Sequence, residues 1–228
     1  MANPNFSNVG ACVFDAYGTL FDVNAAAAHS RDRLGDKADR LAEIWRRKQL
    51  QYTWLRSLMG RYSDFWQVTG DALDHAMAAV NVNDPGLRAQ LMQLYLSLAA
   101  YPDVAPTLER LRSHGLKCAI LSNGTRSMLF SAVKHAGIYD FLDAIISVEQ
   151  VGVFKPHPSV YQLAVDEMKL APAQICFLSA NAWDAHAASA IGFRVAWVNR
   201  FGEPKEMIPA EPHAEIRSLA EFPPLLGL

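Results

Sequence analysis

The sequence predicts an α/β protein: a doubly wound, Rossmann-like parallel sheet carrying an inserted helical cap domain. Three observations lead there. Short β-type apolar runs alternate with segments of helical period, the pattern of strands joined by crossover helices. The first two runs are separated by about a hundred residues of helical pattern, too much for a simple connection. Polar residues capable of chemistry directly follow the apolar runs, at the strand ends where such sheets hold their ligands.

Five runs read as strands: Ala11–Phe14, Lys117–Ser122, 144–148, Ile175–Ser179 and Arg194–Val198. Between the first two, Leu41, Ile44, Trp45, Tyr52, Leu55 and Met59 share one face of a helix, and Phe65, Val68, Leu73, Ala76 and Val80 mark a second. Asp84-Pro85 has the form of an N-cap followed by a first-turn proline, starting a third helix with Leu87, Leu91, Leu94 and Leu98 as its stripe. These helices form a cap over residues 25–99, leaving residues 1–24 and 100–228 as the core. Tyr101-Pro102-Asp103 returns the chain to the core, a helix follows over 104–114, and the Pro-rich tail from Pro204 reads as a surface connection.

Composition narrows the function classes. With 51% apolar and 19% charged residues in a 228-residue chain of net charge −2, there is material for a large core and no basic surplus for nucleic acid. The three cysteines, Cys12, Cys118 and Cys176, lie inside strand-like runs where a thiol serves as a small hydrophobe, and no metal-ligand spacing is present. Unpaired thiols fit a reducing cytoplasm. Residues 1–10 lack the basic and apolar regions of a signal peptide, and no stretch approaches the roughly 20 apolar residues of a membrane helix.

The chemistry gathers at four strand ends: Asp15 and Thr19; Ser122, Asn123 and Thr125; Lys155; and Ser179, Asn181 and Asp184. A parallel sheet brings these ends to one crevice, giving a candidate nucleophile in Asp15, a cation, hydroxyl and amide donors, and a second carboxylate.

The order Asp-x-x-x-Thr, Ser-Asn, Lys-Pro and a late acidic loop resembles the haloacid dehalogenase-like hydrolases over nearly the whole chain. Longer segments sharpen the resemblance to L-2-haloacid dehalogenases: Phe14-Asp15-Ala16-Tyr17-Gly18-Thr19-Leu20-Phe21-Asp22, Trp45-Arg46, Lys48-Gln49-Leu50 with Tyr52-Thr53-Trp54-Leu55-Arg56, Leu121-Ser122-Asn123-Gly124, Phe154-Lys155-Pro156 and Ser179-Ala180-Asn181-Ala182-Trp183-Asp184.

The resemblance implies hydrolytic dehalogenation of short (S)-2-haloalkanoic acids to (R)-2-hydroxy acids and halide through an Asp15 ester. Lys155 would keep Asp15 ionised, Thr19 would fix its attacking oxygen, and Asp184 with Ser179 and Asn181 would prepare the hydrolytic water. Arg46 would stabilise the departing halide. Ser122 and Asn123 would hold the substrate carboxylate, Tyr17 and Trp183 would supply apolar walls, and Tyr161 would add a hydrogen bond from a surrounding position. It also implies no metal and no cofactor, and a homodimer formed through the cap.

On residue types alone, Arg46-Arg47-Lys48 reads equally as a solvated helix face, and only the resemblance selects Arg46. Ser179 and Asn181 read equally as helix caps. Two other functions remain open: a phosphate or phosphonate hydrolase on the same fold, and a non-catalytic member binding a carboxylate or a protein. Against the first, Tyr17 stands where phosphatases of the superfamily place a second acid, and the last loop keeps only Asp184. Ala180, where serine is frequent, and His157, where an acid is common, depart from the pattern and bear on substrate preference.

Overall fold

The computed structural model describes residues 3–23 and 31–228. At its centre are β1 (Ala11–Phe14), β2 (Lys117–Ser122), β3 (Ala144–Ser147), β4 (Ile175–Ser179), β5 (Arg194–Val198) and β6 (Ala214–Ile216). Every pairing is parallel, in the order β3-β2-β1-β4-β5-β6. All four residues of β1 are buried, because helices cover both faces of a central parallel strand, and the sequence there is continuously apolar rather than alternating. The register aligns Cys12 with Cys118 on one side and Cys176 on the other, so the three thiols form a row inside the core. Burial raises the pKa of each, which suits packing and not reactivity.

The five expected strands are present, with one shortened. β3 stops at Ser147 because its Oγ accepts the Glu149 amide and opens a 3-10 turn. The tail after Pro204 departs from expectation: it returns to the sheet as β6, tied by Asn199 N–H to Ile216 O at 2.8 Å and His213 N–H to Val195 O at 2.9 Å. Three residues beside a Pro-rich stretch are too few to show a periodic signal.

The insertion between β1 and β2 holds α1 (Ala38–Leu58), α2 (Phe65–Ala79) and α3 (Pro85–Leu94), after a helical turn at Arg31–Leu34. Asp64 and Asp84 cap α2 and α3 by accepting the Gln67 and Leu87 amides. The α2 stripe is buried as the pattern requires, and so are Leu87, Leu91 and Leu98, which therefore pack within the subunit. The α1 stripe is not continuous. Leu41, Ile44 and Trp45 are buried, but Leu55 and Met59 are 45% and 68% exposed while Gln49 and Thr53 turn inward. Both inward polar groups are satisfied, Gln49 by Arg46 and Thr69 and Thr53 by the Leu50 carbonyl, so burying them costs little.

The chain leaves and re-enters the sheet layer along two short segments joined by main-chain contacts. Phe21 bridges Ala100, Tyr101 N–H donates to Leu20 O at 2.9 Å, and Asp22 N–H donates to Ala99 O at 3.0 Å. The expected core–cap junction at 24–25 lies outside the described residues. After re-entry, α4 (Val104–Ser113), α5 (Arg126–His135), α6 (Pro158–Met168) and α7 (Ala182–Ala190) flank the sheet, and α8 (Phe222–Leu225) closes the chain. Among the described residues no helix is long and apolar enough to cross a membrane.

Leu91 is fully buried inside the subunit, so Leu91→Ala is expected to lower the free energy of unfolding by about 2–5 kcal/mol. Urea denaturation measures this, and a loss below about 0.5 kcal/mol, typical of a surface position, would show that the side chain is not packed as described.

Candidate active site

Asp15 extends β1 by one residue, its N–H donating to Leu178 O of β4 at 2.9 Å. Its carboxylate therefore emerges between the ends of β2 and β4, at the point where the strand order reverses. Thr19 Oγ1 and Asn181 Nδ2 donate to Oδ2 at 3.0 and 2.9 Å, and Lys155 Nζ donates to Oδ1 at 3.0 Å. Both oxygens are thus held in place, on a residue that keeps 6% of its surface open.

Lys155 is the hub. Its ammonium also donates to Asp184 Oδ2 at 2.8 Å and lies 4.9 Å from the centre of the Phe177 ring. Asp184 is fully buried and receives two further donors, Tyr161 Oη to Oδ1 at 2.6 Å and Ser179 Oγ to Oδ2 at 3.1 Å. Burial works against the Lys155 charge, but Asp15 and Asp184 outweigh it and raise its pKa. One ammonium cannot neutralise two carboxylates, and the more deeply buried Asp184 is pushed above the ordinary aspartate range by burial and by Asp15, against Lys155 and Tyr161.

The insertion completes the site. Arg46 of α1 donates from Nη2 to Asn181 Oδ1 at 3.1 Å, and Asn181 in turn holds Asp15. Its Nη1 donates to Gln49 Oε1, Gln49 Nε2 donates to Thr69 Oγ1, and Thr69 donates to Phe65 O, so α2 fixes the direction of the guanidinium. Arg47 is exposed and lies 4.0 Å from Glu43, the solvated face that the residue types allow. Tyr17 stacks on Phe65 of α2 with ring centres 5.7 Å apart and also packs on Phe21 and Tyr95. Trp183 meets Trp54 edge to face at 5.5 Å, and these two line an apolar hollow of about 330 Å³ with Ser57, Leu58, Phe154, Lys155, Pro156 and His157. A larger hollow of about 570 Å³ at the outer edge of β3 contains none of the candidate residues.

The family model of the haloacid dehalogenase-like hydrolases matches residues 9–192. The chain belongs to that family. Among the relatives it resembles is (S)-2-haloacid dehalogenase 1 of a Pseudomonas species, 43% identical over 219 residues and 96% of each chain. A crystal structure of a dehalogenase with an intermediate complex superposes with TM-score 0.95 at 43% identity, covering 97% of this chain and 99% of the other. The L-2-haloacid dehalogenase of Xanthobacter autotrophicus, with chloropropionic acid covalently bound, superposes with TM-score 0.90 at 37% identity, covering 96% and 98%.

Within this haloacid dehalogenase-like chain the predicted residues do not all face the cleft. Asp15, Thr19, Lys155, Ser179, Asn181, Asp184 and Arg46 form one hydrogen-bonded cluster, with Tyr17 and Trp183 beside it. Ser122 Oγ accepts the Gly124 amide and Asn123 Oδ1 accepts the Lys155 amide, so both side chains brace the loops that carry the site. Tyr161 is fully buried behind Asp184 and donates to its Oδ1, a position around the cluster and not in its opening. Ala180 reaches the cluster through its main chain, its N–H donating to Thr19 Oγ1 at 2.8 Å, a contact that serine would make equally. His157 caps α6 by accepting the Ser159 amide at 3.3 Å.

Sequence reasoning missed Gln49, Thr69 and Gly124. Gln49 was visible as a polar residue on the inward side of α1. Gly124 is required by close approach: a Cβ there would lie 2.8 Å from Tyr17 Cε2, so any side chain would displace the ring.

Replacing Lys155 with Ala would leave Asp15 and Asp184 facing each other without their shared cation. We expect Lys155→Ala to cost about 3–5 kcal/mol of stability at pH 8, the scale for breaking a buried pair, and less at pH 5, where protonating Asp184, whose pKa burial and Asp15 already raise, relieves the repulsion. Denaturant titrations at the two pH values test this, and an equal loss at both would contradict it.

Proposed function

We propose that this protein hydrolyses the carbon–halogen bond of short (S)-2-haloalkanoic acids, giving (R)-2-hydroxy acids and halide through an ester on Asp15. The observation that carries the reading is the Lys155 ammonium held between Asp15 and Asp184, with Arg46 reaching the same cluster from the helical insertion. An ionised carboxylate clamped by a hydroxyl, an amide and an ammonium is a preorganised nucleophile.

One Asp15 oxygen attacks C2 in line with the halogen, the new C–O bond forms as the carbon–halogen bond breaks, and the halide leaves with the bonding pair and inversion at C2. Arg46 supplies positive charge where halide charge develops, in a site walled by Tyr17, Phe65 and Trp183. The loops braced by Ser122 and Asn123 would receive the substrate carboxylate. Water then adds to the Asp15 carbonyl carbon as Asp184 takes one of its protons; the tetrahedral centre collapses, the ester C–O bond breaks with the departing alkoxide taking that proton from Asp184, and the hydroxy acid leaves while the Asp15 carboxyl loses its remaining proton to solvent. Among the described residues Asp184 Oδ1 accepts from Tyr161 alone, which leaves it an acceptor site for that proton.

Neither a metal nor an organic cofactor has a role in this scheme, because the Lys155 ammonium fills the cationic position between the carboxylates. A phosphate hydrolase of this superfamily would place a second acid at Tyr17, whose ring instead lies buried among Phe21, Phe65 and Tyr95. We further propose that residues 1–24 and 100–228 act as the core, that 25–99 act as a cap closing over Asp15, and that the protein works in the cytoplasm as a homodimer. With Leu87, Leu91 and Leu98 consumed within the subunit, the dimer surface on the cap would be Leu55, Leu58 and Met59 at the exposed end of α1. Leu58→Asp would then sediment as a monomer, whereas an unchanged dimer would remove that surface from consideration.

The reaction is tested by halide release from (S)-2-chloropropionate with and without a chelator, beside p-nitrophenyl phosphate, and by one turnover in oxygen-18 water. The expected results are chloride release indifferent to the chelator, label in Asp15 before product, and no turnover by Asp15→Asn. Because Asp184 must be ionised and its pKa is raised, the rate should fall on acidification through a pKa above the ordinary aspartate value of about 3.9. Magnesium-dependent phosphate release without chloride would overturn the proposal.

A further inference from the structure

Arg200 lies two residues beyond β5 and reaches the backbone of the Asp15–Asp22 turn. Its guanidinium makes three hydrogen bonds: Nη1 to Asp103 Oδ2 at 2.8 Å, Nη2 to Asp103 Oδ1 at 3.1 Å, and Nη2 to the backbone oxygen of Thr19 at 2.9 Å. The pair is largely buried, with side-chain exposures of 9% and 12%, and the Tyr101 ring covers the guanidinium at 4.0 Å. Asp103 occupies the N-cap position of α4, yet its side chain makes no capping bond. Its carboxylate instead collects Arg200, the Ser218 hydroxyl at 2.8 Å and the Leu219 amide at 2.7 Å. Burial pushes its pKa up, but these donors outweigh that and hold it below the ordinary value.

The three groups Arg200 joins belong to different parts of the machine. Thr19 carries, on the same residue, the hydroxyl that donates to Asp15 Oδ2. Tyr101 and Asp103 belong to the segment by which the helical insertion rejoins the sheet layer, and that segment is already clipped to the outgoing one through Tyr101 N–H to Leu20 O and Asp22 N–H to Ala99 O. A lone main-chain clip of this kind slides or frays easily, whereas a bidentate guanidinium–carboxylate pair fixes distance and angle together. A lysine could match the charge and not the fork.

We infer that Arg200, through Asp103, is a positioning residue for the reaction: it locks the register of the two linkers between insertion and core and sets the Thr19 hydroxyl that orients the Asp15 carboxylate. The inference deepens the proposed dehalogenation and rests on it for its kinetic readout. Cap placement and nucleophile orientation become one mechanical property, because the bond that fixes Thr19 and the bonds that fix Asp103 leave the same guanidinium.

The test compares Arg200→Lys, Asp103→Asn and Ser218→Ala with the unaltered full chain. Ser218→Ala removes a support of Asp103 while leaving Arg200 on both Asp103 and Thr19, so it reports a purely structural loss. Arg200→Lys and Asp103→Asn are expected to lower kcat for (S)-2-chloropropionate by about 10- to 100-fold, the scale of a misplaced reacting group, with little change in KM, and Ser218→Ala to leave kcat unchanged. Amide hydrogen exchange should quicken in segments 15–22 and 99–103 together in the first two variants and in neither segment in the third. Unchanged kcat in Arg200→Lys, an equal kcat loss in Ser218→Ala, or faster exchange confined to 199–219 would each overturn the inference. Failure of the unaltered protein to release chloride would instead strike at the dehalogenase reading, while the exchange comparison would still decide whether the linkers are locked through Arg200.

Discussion

The site depends on one ammonium group buried between two carboxylates. Lys155 carries its charge where burial alone would remove it, and it does so because Asp15 and Asp184 lie within 3.0 and 2.8 Å of Nζ. Buried ion pairs seldom increase stability over well-packed apolar groups, since desolvation cancels most of the attraction. What this cluster gains is position and charge state. Asp15 is clamped and aimed, and Asp184, whose pKa burial and Asp15 raise, is the carboxylate that more readily holds a proton, as the mechanism requires of it.

The rest of the architecture supplies donors to that cluster from independent directions. Asp184 is held by Ser179 at the end of β4 and by Tyr161 of α6, and Asp15 by Thr19 of its own turn and Asn181 at the start of α7. Phe65 O, Thr69, Gln49, Arg46 and Asn181 then form a continuous hydrogen-bonded line from α2 to the nucleophile. Such a line makes the guanidinium direction depend on the packing of α1 against α2, so the chemistry draws on helices that contribute no reacting atom. The apolar contacts beside it, Tyr17 on Phe65 and Trp54 on Trp183, thin the water around these charges and strengthen them.

The parts of this arrangement legible in the sequence were those with a local signature. Continuous apolar runs identified five strands because central parallel strands need no alternation, and the polar residues directly after Phe14, Ser122 and Leu178 named the crevice because sheet topology brings those ends together. What failed to show were features set by tertiary partners. Leu55 and Met59 continue the α1 stripe by angle but stay exposed, because Gln49 and Thr53 find internal hydrogen bonds and take the inward face. β6 is three residues of no periodic character that become a strand only by pairing with β5. Tyr161's partner is likewise set by tertiary packing, which brings its Oη to Asp184 Oδ1.

Asn181 and Asp103 show most directly where local rules give way. Each occupies the N-cap position of a helix, the place where such side chains ordinarily accept a backbone N–H, and neither does. Losing a cap costs about 1 kcal/mol. Asn181 spends its side chain on Arg46 and Asp15, and Asp103 spends its own on Arg200, Ser218 and Leu219. Asp64 and Asp84, in the helical insertion, keep their capping bonds. The contrast separates stability from function on a physical basis: where the same residue types cap normally the chain follows its local preference, and where they do not, the side chain has been taken up by the machinery around Asp15.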